Sequence, residues 1–298
     1  MKIIAVVVFY NPEGDFFNRC LSISSQVNNL IVYDNSVDEM VINNNRNIIS
    51  TIKNVSYYSE GKNNGIGSAL NYAVIEARKN DFDFLITFDQ DTLIGNDYVE
   101  KMIHSFNSEN NIGVIGPVYK DINASRECRF PVKKGPLVLR KTLSDENNIQ
   151  NVMSIITSGS LYPVPIFNKV GVFEENYFID YIDNEFCLRL LQSGYRVCVE
   201  PKVVINHALG NRTISKAILR FSPTNYPFYR KYYITRNRLF MYKKYFLKFP
   251  SFILYDMAAF ALDFIRVFLF EKDKKNKIMA YYKGVRDFLK NKKGIISY

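Results

Sequence analysis

Short apolar runs alternate with helically spaced ones along the first ninety residues. Ile3–Phe9 is a nearly unbroken apolar run of strand length, residues 15–26 repeat apolar positions at helical intervals, and residues 29–33 are apolar again before Asp34-Asn35-Ser36. Val55–Ser59 reads as another strand, followed by Gly61-Lys62-Asn63-Asn64-Gly65. Residues 67–79 place Ala69, Leu70, Ala73, Val74 and Ala77 on one helical face, and residues 82–88 form a strand that runs into Asp89-Gln90-Asp91. This alternation predicts an α/β sheet with parallel strands. Ligands of such sheets bind beyond the carboxyl ends of the strands, where each of these polar clusters falls.

From Ile112 the pattern is irregular. Residues 112–117 and 136–139 read as strands around a polar stretch, and residues 152–156 lead into Thr157-Ser158-Gly159-Ser160. A helix over 181–191 ends near Gly194, and a strand over 197–205 ends at Asn206-His207. The Asn-rich stretch 43–47 reads as a loop, and no internal repeat is present.

Charge changes the picture only at the C-terminus. The chain of 298 residues carries a net +10, but residues 1–228 hold 22 Lys and Arg against 24 Asp and Glu, while residues 229–298 hold 17 against 5. A near-neutral body with a basic, aromatic tail suits an enzyme with a surface-docking segment better than a nucleic-acid-binding protein, the rival reading of the charge. The run 249–270 is long enough to cross a bilayer, but Asp256, Asp263 and Arg266 interrupt it, so a helix lying on an anionic membrane surface is expected. The alternative is that the tail packs on the body or forms a dimer interface. Cys20, Cys128, Cys187 and Cys198 show no metal-binding spacing and read as reduced thiols in a cytoplasmic protein. The opening strand breaks at Pro12 and lacks the cleavage site of a signal peptide.

Asp89 and Asp91 at a strand end suit a hard divalent cation shared with phosphates, or else a turn and helix cap. Asp34-Asn35-Ser36 suits a nucleobase edge or an Asx-turn. Asn63-Asn64-Gly65-Ile66-Gly67 opens a helix whose amides suit an anion, or it is an ordinary cap; it matches neither GxGxxG nor a P-loop. In Asp180-Tyr181-Ile182-Asp183-Asn184-Glu185, apolar neighbours make Asp183 a candidate general base. His207 is a structural histidine or a third metal ligand.

Taken in order, these clusters resemble the family 2 inverting glycosyltransferases of the GT-A fold, most closely the bacterial rhamnosyltransferase branch, over roughly residues 1–240. Asp-Gln-Asp in place of Asp-Asp-Asp, together with Phe178-Ile179-Asp180-Tyr181-Ile182-Asp183, carries the likeness to that branch. The usual Glu-Asp pair reads Ile182-Asp183 here, so the base role passes to Asp183 alone. The resemblance implies a Rossmann-like, mainly parallel GT-A catalytic domain over 1–228, with a nucleotide-sugar half (1–111) and an acceptor half (112–228), and a helical extension over 229–298. It implies donor contacts from Tyr10, Asn11, Asp34, Asn63, Gly65, Asp89 and Gln90. Mg²⁺ or Mn²⁺ would sit at Asp91, Asp89 and His207, and Ser158, Gly159, Asp180 and Arg236 would meet the acceptor. The implied donor is dTDP-β-L-rhamnose, with UDP-galactofuranose or a UDP-hexose as alternatives. The implied acceptor is a saccharide or lipid-linked saccharide of bacterial surface polysaccharide at the cytoplasmic face of the inner membrane. A nucleotidyltransferase would carry a basic glycine-rich loop after the first strand, where this chain has Tyr10-Asn11-Pro12-Glu13-Gly14.

Overall fold

The N-terminal strands and helices form in the order that the apolar pattern predicts. The computed structural model describes residues 1–121, 126–207 and 225–296, without the side chains of Asp121, Arg126, Glu127 and His207. Ala208, Leu209 and Gly210 of the expected histidine motif therefore lie outside the described residues.

The elements run β1 (Ile3–Phe9), α1 (Phe16–Ser24), β2 (Asn29–Asp34), α2 (Glu39–Ile49), β3 (Val55–Ser59), α3 (Gly65–Lys79), β4 (Phe84–Asp89) and α4 (Tyr98–Asn107). The second half holds β5 (Ile112–Asp121), β6 (Arg126–Glu127), β7 (Arg129–Lys134), β8 (Leu137–Thr142), β9 (Gln150–Asn151), β10 (Ser160–Pro163), α5 (Ile166–Val170), α6 (Ile182–Gln192) and β11 (Arg196–His207). Three helices follow: α7 (Phe228–Tyr245), α8 (Pro250–Phe270) and α9 (Lys274–Leu289).

The main sheet has the order β3-β2-β1-β4-β10-β5-β11-β9, with β6 on β5, while β7 and β8 form a separate hairpin. Strands β3, β2, β1 and β4 are parallel, and β10 is antiparallel to both β4 and β5. Successive residues of β1 serve opposite faces: Ile4 and Val6 pack with α3 residues Leu70, Ala73 and Val74, while Ala5, Val7 and Phe9 pack with Cys20 and Ile23 of α1. Burial on both faces explains why these strands read as unbroken apolar runs. Each of the Ile, Val, Leu and Phe side chains among them contributes roughly 1.5–3 kcal/mol by leaving water.

The order of strand addition reverses at β1, because β2 and β3 lie on one side of it and β4 on the other. Phe9 pairs with Asp34 and Val8 with Asp89, so the three strand ends meet at one edge, the usual crevice of an open sheet.

One expectation is corrected. The Asn-rich stretch is helical, since Asp38 caps α2 through the Met40 and Val41 amides and Ile42, Asn45 and Ile49 make a buried face at helical spacing. At its start the tail packs on the body. Helix α7 buries Lys231, Arg236, Asn237 and Met241, and Phe240 joins the main core. Part of the tail's basic charge is met within the tail: Lys231 pairs with Asp263 at 2.8 Å, Arg238 with Asp256 at 2.8 Å and Lys277 with Glu271 at 2.7 Å. No helix among the described residues is long and apolar enough to cross a membrane.

Candidate active site

Beyond the common strand edge lies a cavity of about 690 Å³, walled by Tyr10, Asn63, Gly65, Asp89, Gln90 and Asp91 among others. A second cavity of about 370 Å³ adjoins it, sharing Asp89 and Ile66 and adding Asp180 and Asp183. Six of the sequence-derived residues thus meet in the first space, and two more join Asp89 in the next.

The Asp-Gln-Asp turn is held from several sides. Gln90 accepts the Tyr10 amide at 2.8 Å, and the Asp89 amide donates to Ser158 Oγ at 3.1 Å. Leu93 bridges to Asn206, so strand β11 delivers the backbone of His207 beside this turn, although its side chain is outside the described set. Among the described residues no three His, Cys, Asp or Glu side chains cluster as a metal site. Two half-buried carboxylates with open space before them nonetheless fit Mg²⁺ or Mn²⁺, which commonly take one or two carboxylates and complete their shell with water and phosphate oxygens.

Asp183 lies in the first turn of α6 and accepts the Asn184 amide at 2.8 Å. Burial raises its carboxyl to about 6, helped by the charges of Asp180 and Asp89 and opposed by that amide. A carboxylate near 6 accepts a proton at neutral pH better than an exposed one would. Glu185, two residues on, faces away from the cavities. Burial acts to raise it, but Arg189 at 2.6 Å and Lys244 at 2.7 Å outweigh that and hold it below the usual range, tying α6 to α7.

The chain entering α6 is strained. Phe178, Asp180 and Tyr181 all have positive φ, at 64°, 63° and 68°, each costing on the order of 1 kcal/mol or more. Asn237 Nδ2 opposes that strain by reaching the carbonyls of Tyr177, Ile179 and Asp180 at 2.8, 2.9 and 3.0 Å. Arg236 donates to the carbonyls of Asn176 at 3.0 Å and Gly294 at 2.6 Å. From the other side, the Ile66 amide donates to the Phe178 carbonyl at 2.8 Å.

Several expected contacts take other roles. Asp34 is fully buried beneath the cavity, accepting from the Ser36 amide, Asn45 and Tyr57, and Asn35 lines the wall instead. The Asn11 amide is engaged by Ser36 Oγ at 2.8 Å, and Asn11 is not among the wall residues. At the start of α3, the amides of Asn64, Gly65 and Ile66 donate to Asn35, Asn63 and Phe178, which leaves that helix end to the protein rather than to an anion. Ser158 and Gly159 are packed under the Asp89 turn, where Gly159 bonds the Thr87 carbonyl at 2.7 Å, so they position the turn and do not face an acceptor. Arg236 is 1% exposed and clamps backbone rather than meeting a substrate. Asp180 does face the second cavity, but its carboxylate is gripped by Arg230 at 2.5 and 3.1 Å.

Sequence reasoning missed the wall made by Tyr226, Phe228, Tyr229, Arg230 and Tyr233, and by Ile295 and Ile296. The signal was the aromatic, basic run at 226–233, which charge arithmetic had assigned to an outer surface.

Residues 4–171 match the family described as Glycosyl transferase family 2. Over 99% of this chain and 96% of its own length, the dTDP-rhamnosyl transferase RfbF of Shigella flexneri is 28% identical. Among solved structures, GalNAc-T7 with UDP, GalNAc and Mn²⁺ superposes with a TM-score of 0.57 at 14% identity, covering 70% of this chain and 43% of that one. TarS of S. aureus gives 0.56 at 16% identity, covering 97% and 49%. TarS 1-349 in complex with UDP-GlcNAc gives 0.53 at 17%, covering 98% and 82%. The chain thus spans under half the length of the first two solved proteins, and at these identities the likeness is one of fold.

Proposed function

The chain belongs to glycosyl transferase family 2, and on that premise we propose that it moves L-rhamnose from dTDP-β-L-rhamnose onto a saccharide or lipid-linked saccharide with inversion. The end-to-end likeness to a dTDP-rhamnosyl transferase carries the donor assignment. The opening of Asp183 and Asp89 onto one cavity supports the reaction assignment.

In this reading the nucleoside diphosphate occupies the larger cavity between Tyr10, Asn35, Asn63 and Gln90. Asp183 takes the proton from the acceptor hydroxyl as that oxygen attacks the anomeric carbon and the diphosphate departs. Asp91, with Asp89, would hold Mg²⁺ or Mn²⁺, which when bound supplies positive charge against the diphosphate. The Asp180–Arg230 pair and the Asn237 bonds keep the Asp183 carboxyl oriented toward the shared space.

The product belongs, on this reading, to bacterial surface polysaccharide made at the cytoplasmic face of the inner membrane. Support for docking there comes from α8, which turns Asp256 and Asp263 inward and Leu254, Ile265 and Phe268 outward, at 57%, 45% and 57% exposure, with exposed Lys272, Lys274 and Lys275 just beyond. Incubating the protein and Mg²⁺ with a panel of dTDP-, UDP- and GDP-sugars tests the donor, since slow hydrolysis needs no acceptor. Release of dTDP from dTDP-rhamnose well above the other sugars is expected; preferential hydrolysis of a UDP-sugar would overturn the rhamnose assignment.

A further inference from the structure

Asp183 opens onto a third space that the donor reading leaves without a role. Together with Asn184 and Ile156 it walls both the 370 Å³ cavity and a separate one of about 190 Å³, which has no wall residue in common with the nucleotide cavity. That volume is below the roughly 300–1,000 Å³ of pockets that hold whole small molecules, so it suits a single head group. Its remaining wall includes Arg129, Arg140, Ser154 and Tyr255.

Arg129 and Arg140 come from the β7–β8 hairpin. Arg129 pairs with Thr142 and Pro131 with Arg140, which makes the two arginines diagonal neighbours on one face. Among the described residues neither has an ion-pair partner, and both are exposed. Of the two carboxylates in this wall, Asp256 is occupied by Arg238, Tyr181 and Tyr242, and Asp183 accepts the Asn184 amide. Two guanidinium groups converging on a small space with hydroxyls beside them match the charge and bonding of a phosphate group.

We propose that Arg129 and Arg140 form a phosphate-binding subsite that seats an anionic acceptor with its hydroxyl at Asp183. This rests on the transferase reading above and names its acceptor class, a phosphate-bearing saccharide. The phosphate comes either from a lipid-linked carrier or from a soluble sugar phosphate.

The test uses full-length protein saturated with dTDP and Mg²⁺, which fills the donor side, and titrates in farnesyl phosphate, glucose 1-phosphate or inorganic phosphate by calorimetry. Binding is expected to weaken about tenfold or more in Arg129→Gln and in Arg140→Gln, and to vanish in the double variant, with Arg140→Lys retaining part of it. Unchanged dTDP affinity shows that each variant is folded. Tighter binding of farnesyl phosphate than of glucose 1-phosphate assigns the lipid source, and the reverse order the soluble one. Equal phosphate affinity in wild type and double variant, or none in a wild type that binds dTDP, overturns the proposal. A wild type that binds no dTDP but binds phosphate through these arginines instead overturns the donor reading and leaves the subsite standing.

Discussion

Asp183 shows how a single carboxylate is set between two demands. Burial and the facing charges of Asp180 and Asp89 lift it to about 6, while the Asn184 amide restrains the rise. Transfer should therefore climb as pH passes through about 6 and level off above it. Asp183→Asn should abolish transfer yet leave dTDP binding nearly intact, and wild-type turnover in that variant would remove the base assignment. Stability runs the other way. Because the folded value exceeds the ordinary 3.8, ionisation costs the folded state nothing below about pH 4 and its full penalty above about 6. Asp183→Asn should thus melt higher at pH 7.5, by an amount corresponding to about 2–3 kcal/mol, and equal wild type at pH 4. A lower melting point at pH 7.5 would contradict this. At this scale the sequence disclosed residue types better than orientations: Asp89 and Asp183 reach the cavities, whereas Asp34 lies one position too deep, and strand alternation gives the wall to Asn35.

Among the elements, the strained turn before α6 is braced by two helices that are distant in sequence. Gly65 opens α3 at φ +83°, and a Cβ there would stand 2.5 Å from the Phe178 carbonyl oxygen. Gly65→Ala is expected to cost about 2 kcal/mol or more and to weaken dTDP binding, read by denaturant titration and calorimetry. A neutral result would mean that the turn moves freely. Helix α8 differs from most surface helices in that its outward face is apolar as well. Its inward side sets Asp256 and Asp263 beside buried Phe252, Ile253 and Val267, and its outward side is hydrocarbon, so attachment through that outer face would resist salt and yield to detergent. Sedimentation with anionic vesicles should persist at 1 M NaCl and fall sharply in a Leu254→Ser, Ile265→Ser, Phe268→Ser variant; unchanged sedimentation would remove this face from docking. The parallel strands were legible because both their faces are buried. The role of α7 was not, because periodicity cannot reveal that Arg236 and Asn237 bond to carbonyls some sixty positions earlier.

For the molecule as a whole, the larger cavity is enclosed by residues from Val8 to Ile296. Its floor is made largely by residues up to Asp91 and its opposite wall by residues from Tyr226 onward, and the end of that wall is tied down where the Gly294 amide meets the Asn176 carbonyl at 2.8 Å and the Ile296 amide meets the Tyr233 hydroxyl at 3.1 Å. Removing residues after 290 should leave the sheet folded by circular dichroism while weakening dTDP binding about tenfold, a result that unaltered affinity would refute. The Gly294 and Ile296 bonds also bear on the order of assembly. Because the Tyr232 hydroxyl on α7 is held by Asp287 of α9, while Arg236 and Tyr233 of α7 hold the Gly294 carbonyl and the Ile296 amide, that wall of the cavity closes only once α9 has packed on α7, so the sheet and the cavity are completed at separate steps of folding.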